Sequence, residues 1–295
     1  MSPLGEFAAI TAAFIWAGAS VIYARLGQTF APMGLNFAKG AIAVILLLLT
    51  PPLWQQDWAS VELQPVALLA LSGALGVGVG DTLFFETLKA LGPRRTLLLE
   101  ALAPAVTAAL AWLFLQEALP AIACAGIMLT LLGIAWVIRE RTPEGTHDPH
   151  LRRGLTLGLG SALTNSTGAL LARAALTDTA IDPELAALVR IGAGLVLLIS
   201  WGLGRGLMLK WCRTIFLSPQ VKALCLAAFG GTYLGIWLQQ VGYKYAPAGI
   251  AQTLLATSPL FILPITLAQG ERVSPRAWLG AMVCVAGVAT LFLAR

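Results

Sequence analysis

The sequence predicts an all-α membrane protein of ten transmembrane helices, arranged as two inverted five-helix repeats. The first observation behind this prediction is composition: 58% of the 295 residues are hydrophobic and 11% are charged, with a mean hydropathy of +0.82. Because soluble domains carry about 25% charged residues, most of this surface must face lipid. The second observation is a series of apolar stretches, and the third is an internal similarity between the two halves of the chain.

The apolar stretches each approach the roughly 20 residues that a helix needs to cross the hydrocarbon core. The connections between them are short, and most contain proline, which interrupts helices. The predicted spans are residues 6–24, 33–50, 65–88, 93–115, 119–138, 154–175, 184–203, 221–242, 247–268 and 275–294. The most polar connection, at 139–153, predicts a linker between a first repeat at 1–138 and a second at 154–295.

Early in each half, FAKGA at 37–41 resembles LVRIG at 188–192 at a slightly different offset, and further along the halves align at one offset of 154 residues. This offset superimposes the first-half residues Pro93, Glu117, Gly126 and Gly133 on the second-half residues Pro247, Glu271, Gly280 and Gly287. Since each half has an odd number of spans, the second half is inverted relative to the first. Inverted repeats are a transporter architecture in which the substrate site lies near the bilayer midplane, where the halves meet.

Three features resemble the EamA-like family of the drug/metabolite transporter superfamily. They are the WAG at 16–18, the basic residues Lys39 and Arg190 early in spans two and seven, and the pairs Pro104 with Glu117 and Pro259 with Glu271. The resemblance covers nearly the whole chain, twice over. It implies a multi-pass protein of the plasma (inner) membrane that moves a small molecule, since the family carries amino acids, other metabolites and drugs. The chain departs from the family at 50–65, where the loop lacks the basic residues that are often found there.

Two carboxylates lie deep inside otherwise apolar spans. Asp81 precedes the Gly-Pro turn at 92–93 and Glu100 follows it, which puts both roughly 10–17 Å from the turn, near the middle of a core about 30 Å thick. Two carboxylates at one depth can share a proton and so form a site that binds and releases it. The alternative is a pair of buried structural ion pairs with Lys39 or Arg190. A charge at the bilayer centre costs about 2.5–3.5 kcal/mol, which favours a functional role.

Other polar and aromatic residues complete the predicted site. Lys39 and Arg190 either hold a substrate carboxylate or extend to the headgroups, and Trp16 either lines a pocket or anchors the chain at the interface. The remaining polar residues of the second half are uncharged, so an acidic first half facing them suits a substrate with an amine. The predicted substrate- or proton-binding residues are Asp81, Glu100, Lys39, Arg190, Trp16, Asn165, Gln239, Gln240 and Gln252.

Several classes of function are disfavoured by missing motifs. No G-x-x-x-x-G-K-[ST] sequence occurs and no soluble segment is long enough for an ATPase domain, which excludes ATP-driven pumping by this chain alone. Both histidines lie in the linker and the cysteines show no metal-binding spacing, so neither an enzyme nor a metal or other cofactor is predicted. The expected partners are a small-molecule substrate and the lipid bilayer, with no nucleic acid, and a monomer is expected.

The leading prediction is a secondary transporter that exports a small metabolite, such as an amino acid or an amine, in exchange for protons. An uncoupled facilitator and a lipid-handling or scaffold membrane protein are the alternatives. Orientation follows from charge: with ten spans, fourteen Lys and Arg residues fall on the side opposite the termini and three on the terminus side. The positive-inside rule then predicts both termini outside the cytoplasm, whereas the family resemblance implies both inside.

Overall fold

The computed structural model describes residues 4–50, 61–107, 110, 121–139, 151–177, 179–246, 248–268, 270 and 274–293. Within those ranges the chain forms helices and no β-strand. Its α-helices are α1 (Leu4–Thr29), α2 (Pro32–Leu48), α3 (Leu63–Gly73), α4 (Asp81–Glu100), α5 (Ala121–Arg139), α6 (Leu151–Leu176), α7 (Pro183–Gly204), α8 (Met208–Phe216), α9 (Val221–Ala227), α10 (Gly235–Tyr245), α11 (Ala248–Leu255), α12 (Ser258–Ala268) and α13 (Pro275–Leu293). Glu117, Glu271 and most of the predicted linker lie outside the described residues.

Four helical stretches of the described chain are long and apolar enough to cross a membrane by length and composition. They are Leu4–Thr29, Leu63–Glu100, Pro183–Gly204 and Val221–Tyr245. The predicted class, a helical membrane protein, is therefore confirmed, while the number of ten spans stays a prediction.

Gly92 breaks α4 into two helical parts. Its φ of 75° and ψ of 170° are not helical, and this φ is accessible to glycine because it has no Cβ. A straight helix would hold Asp81 and Glu100 about 28 Å apart, yet both line the same cavity. The chain must therefore change direction at Gly92, as the Gly-Pro pair at 92–93 predicts.

Two π-helical segments interrupt long helices at equivalent places in the two halves. The segment π1 (Ala74–Gly80) joins α3 to α4, and π2 (Ala228–Leu234) joins α9 to α10. The offset of 154 residues that aligns the sequence halves also superimposes π1 on π2. A π-bulge disturbs the regular hydrogen bonding of a helix and is frequent at functional sites. The internal repeat is thus visible in the backbone distortions as well as in the sequence.

Buried side chains from neighbouring helices satisfy carbonyl groups of π1. Asn36 of α2 donates through Nδ2 to the Val77 carbonyl at 2.8 Å and to the Gly78 carbonyl at 3.2 Å. On the other side, the Ser161 hydroxyl lies 3.1 Å from the Gly80 carbonyl oxygen and 2.6 Å from Glu100 Oε1, so its one proton is shared between these two acceptors. Because hydrocarbon offers no hydrogen-bond partners, such contacts are what allow an irregular helix inside a membrane protein.

Glycines allow α3 and π1 to pack directly against helices of the second half. A Cβ on Gly73 would lie 2.0 Å from the Arg190 carbonyl oxygen, and one on Gly194 would lie 2.9 Å from the Gly78 nitrogen. Small residues at helix crossings let backbones approach closely, and the resulting van der Waals packing is one of the interactions that hold membrane helices together. This crossing fixes the position of Arg190 relative to π1.

We expect Gly73→Ala to destabilise the protein, because the new Cβ meets backbone that cannot rotate away. Overpacking of this kind costs about 1–3 kcal/mol. Gly192→Ala on α7 is the matched control, since its Cβ would meet nothing within 4 Å and removal of a helical glycine is then neutral or stabilising by about 0.4–1 kcal/mol. Thermal unfolding of the purified protein measures both, and equal melting temperatures for the two variants would contradict the crossing.

The helix α8 lies where the sequence analysis expected only a connection between spans seven and eight. With nine residues it is too short to cross a bilayer. Trp211 and Ile215, four residues apart, are buried at 5% and 2% exposure. Trp211 is held between α2 and α7. A Cβ on Gly34 of α2 would lie 3.0 Å from its ring, and a Cβ on Gly202 of α7 would lie 2.6 Å from it.

Candidate functional site

A cavity of about 120 Å³ lies at the centre of the described helices. Both halves of the chain contribute to its wall, which includes Gly76 and Val77 of π1 and Gly231 of π2. The wall also includes Trp16. Its polar lining residues are Asp81, Glu100, Asn165, Arg190, Gln239, Tyr243, Gln252 and Ser258. Six of the nine residues predicted from sequence are among these eight.

Asp81 is engaged by a buried lysine. Lys39 of α2 is fully buried at 0% exposure, and its ammonium group donates a hydrogen bond to Asp81 Oδ2. The same nitrogen lies 5.3 Å from the centre of the Phe85 ring and 6.0 Å from that of Trp16, so aromatic faces surround the rest of the cation. Lys39 itself does not line the cavity in the described structure. For Asp81 the structure therefore shows the ion-pair arrangement that the sequence left open as an alternative.

Glu100 has neutral hydrogen-bond donors instead. The Ser161 hydroxyl lies 2.6 Å from its Oε1, and Asn165 Nδ2 donates to its Oε2 at 3.2 Å. Within the part of the chain that the structure describes, no Lys or Arg forms an ion pair with this carboxylate. Ser161 and Asn165 are four residues apart on α6 and so present both donors on one face of the helix. The two donors hold the carboxylate in place without neutralising it.

Arg190 supplies the positive charge of the cavity. It comes from α7, is 4% exposed, and donates through Nη1 to Gln239 Oε1 at 3.2 Å. Its Nε has no hydrogen-bond partner in the described structure. Burial at this depth rules out the snorkelling arrangement for both Arg190 and Lys39. The second-half wall is therefore cationic at Arg190, and its other polar lining residues are uncharged.

Gly76 separates the acidic and the basic parts of the wall. The position that a Cβ on Gly76 would take lies 3.4 Å from Arg190 Nη2 and 3.6 Å from Asn165 Oδ1. The absence of a side chain at Gly76 therefore leaves space between the Arg190 guanidinium and the Asn165 amide. The same amide donates a hydrogen bond to Glu100. The cavity thus presents groups of opposite charge to one small volume.

The remaining predicted residues take different places. Gln252 lines the cavity and donates to the Tyr243 hydroxyl at 3.0 Å, which fixes both side chains. Gln240 is fully buried but does not line the cavity, and its amide donates to the Ile236 carbonyl at 3.4 Å. The predicted set did not include Ser161, which contacts Glu100, or the lining residues Tyr243 and Ser258. The spacing of one helical turn between Ser161 and Asn165 is the signal that points to the first of them.

Several helices that enclose a central polar cavity, built from two matching halves, define a multi-pass membrane protein with the architecture of a secondary transporter. The chain belongs to the EamA-like transporter family, whose sequence pattern matches residues 3–139 and again residues 152–293. Membership in this family points to a transporter rather than an enzyme.

Two further similarities agree with this assignment. A protein of Synechocystis sp. (strain ATCC 27184 / PCC 6803 / Kazusa), named as an uncharacterized transporter, is 27% identical over 143 residues, which is 48% of this chain. The match spans 44% of the length of that relative. A solved crystal structure is similar over 99% of this chain and 98% of its own, with a TM-score of 0.71 and 16% sequence identity. At this identity the similarity concerns the fold alone.

Proposed function

We propose that this protein is a secondary transporter that exports a small metabolite with an amine, such as an amino acid, in exchange for protons. The observation that carries the proposal is the state of Glu100, a carboxylate in the central cavity that is held by Ser161 and Asn165 but paired with no cation of the described chain. Such a group accepts either a proton or the ammonium group of a substrate. Competition between the two at one site is sufficient for exchange.

Arg190 supports a substrate that carries a carboxylate as well. Its unpartnered Nε and its Nη2 beside Gly76 leave donors for an anionic group, and arginine binds carboxylates with paired, parallel hydrogen bonds. In this proposal the ammonium group of the substrate binds Glu100 and its carboxylate binds Arg190. Trp16, Gln239 and Gln252 complete the wall.

The matched distortions support alternating access as the mechanism. In the proposed arrangement, five helices of each half form one repeat, with the division at 139–153, and the repeats rock about the cavity. The segments π1 and π2 both line the cavity through glycines, Gly76 and Gly231. Helix interruptions that line a cavity are the usual place of substrate and ion binding in transporters of this kind. The plasma membrane is the proposed location.

The test is substrate flux in proteoliposomes with and without an imposed pH gradient. Purified protein is reconstituted with a panel of radiolabelled amino acids and amines, and an internal pH-sensitive dye follows proton movement. We expect a pH gradient to drive accumulation of at least one substrate and that substrate to move protons in the opposite direction. Flux that follows only the substrate gradient, without proton movement, would instead indicate an uncoupled facilitator, and no flux of any compound would contradict transport of this class.

A further inference from the structure

The short helix α8 has three different faces. Trp211 and Ile215 point into the protein. Successive residues of an α-helix turn by about 100°, so Leu209 and Phe216, seven residues apart, lie together on a lateral face, where they are 78% and 38% exposed. Lys210 and Arg213 are exposed on the third side.

Basic residues accumulate around this helix without acidic counterparts. Arg205 precedes α8, with its guanidinium 5.1 Å from the centre of the Trp201 ring, and Lys222 follows it at the start of α9. No Asp or Glu occurs anywhere between residues 185 and 270 of the sequence. Among the described residues, neither Lys210 nor Arg213 forms an ion pair with a carboxylate. Within the described ranges, Lys210 and Arg213 therefore carry exposed positive charges that no carboxylate neutralises.

We propose that α8 is an interfacial helix that binds the headgroups of anionic phospholipids through Lys210 and Arg213. It connects the ends of two membrane helices, α7 and α9, so it lies at the level where a bilayer presents its headgroups. A helix with an exposed apolar side and a basic side is the type that lies in this plane. Leu209 and Phe216 contact acyl chains, while Lys210 and Arg213 contact phosphate groups. Trp211, held between α2 and α7, ties the helix to the fold.

The position of α8 gives this contact a consequence for the protein. Trp211 packs against Gly34 of α2 and Gly202 of α7, and these helices also carry Lys39 and Arg190. Lipid bound at α8 therefore stabilises the packing of Trp211 between α2 and α7, the two helices that carry Lys39 and Arg190. The binding of lipid is independent of which substrate is transported and of whether protons are coupled to it.

The experiment is native mass spectrometry of the full-length protein in detergent, titrated with phosphatidylglycerol or with phosphatidylcholine. We expect the protein to bind phosphatidylglycerol more tightly, and added salt to remove the preference. Removing one basic residue that contacts an anionic membrane surface weakens lipid binding about fivefold. Lys210→Gln/Arg213→Gln should therefore lower phosphatidylglycerol affinity about thirtyfold, with phosphatidylcholine affinity unchanged.

Two further variants separate this site from a general effect of charge. Lys89→Gln removes one exposed cation near the Gly92 turn of α4 and should leave the preference intact, while Leu209→Ser should weaken the binding of both lipids. Each variant is first required to elute from gel filtration as the wild type does. Equal affinity of the wild type for the two lipids would overturn the proposal. So would a loss of phosphatidylglycerol affinity in Lys89→Gln as large as that in Lys210→Gln/Arg213→Gln.

Discussion

Replacing Glu100 with glutamine is expected to abolish proton-coupled transport while the protein still folds. Glutamine has nearly the same shape and keeps an acceptor for Ser161 or Asn165, but it neither takes up a proton at accessible pH nor carries a charge for a substrate ammonium group. Loss of one hydrogen bond to a charged group costs about 1.5–3 kcal/mol, so substrate affinity should fall roughly 10- to 150-fold. Counterflow and proton movement in proteoliposomes measure the two effects separately.

The matched control is Glu86→Gln, the same substitution at the edge of the protein. Glu86 is 31% exposed in its side chain and lies 3.3 Å from Arg153 Nη2, and exposed ion pairs contribute only about 0–1 kcal/mol. Its loss should leave transport near the wild-type rate. Normal proton-coupled flux in Glu100→Gln would show that this carboxylate is structural and that the proposed site is wrong.

Replacing Asp81 with asparagine is expected to destabilise the protein more than a substitution of any other polar residue that lines the cavity. The substitution leaves the charge of Lys39 buried at 0% exposure without its partner, and breaking a buried pair from one side costs about 3–5 kcal/mol. Removing both charges, as in Lys39→Met/Asp81→Asn, should recover much of that loss because no unpaired charge remains. Thermal unfolding in detergent compares the four proteins of this double-mutant cycle: the wild type, Asp81→Asn, Lys39→Met and the double variant.

The cycle also distinguishes an ion pair from two independent residues. If Lys39 and Asp81 act independently, the two single effects should add to within about 0.3–0.5 kcal/mol, and that result would contradict the pairing. The sequence alone left two arrangements open for Asp81, a proton-sharing pair with Glu100 and a buried ion pair with Lys39 or Arg190. The structure shows Asp81 paired with Lys39, so in the proposed mechanism Glu100 is the carboxylate for which proton and substrate compete.

The backbone distortions follow partly from sequence. The Gly-Pro pair at 92–93 predicts a change of direction, since glycine adopts the positive φ and proline cannot continue the helical hydrogen bonds. The π-helical segments were not predicted, because the glycines of GVGVG at 76–80 fit either close packing or a bulge. In the structure, Asn36 of the separate helix α2 donates hydrogen bonds to carbonyl groups of π1. The sequence of residues 76–80 alone does not reveal this contact.

The sequence by itself determined the membrane fold, the internal repeat, the family and the polar residues worth testing. These properties depend on composition and on spacing along one helix, which are local, and charges in apolar spans such as Asp81 and Glu100 are conspicuous because their burial is costly. Only the tertiary structure decided which charge is neutralised and which is available. The outcome depends on distances between separate helices. Lys39 reaches Asp81, whereas Ser161 and Asn165 reach Glu100. Close packing at glycines brings Arg190 to the same cavity.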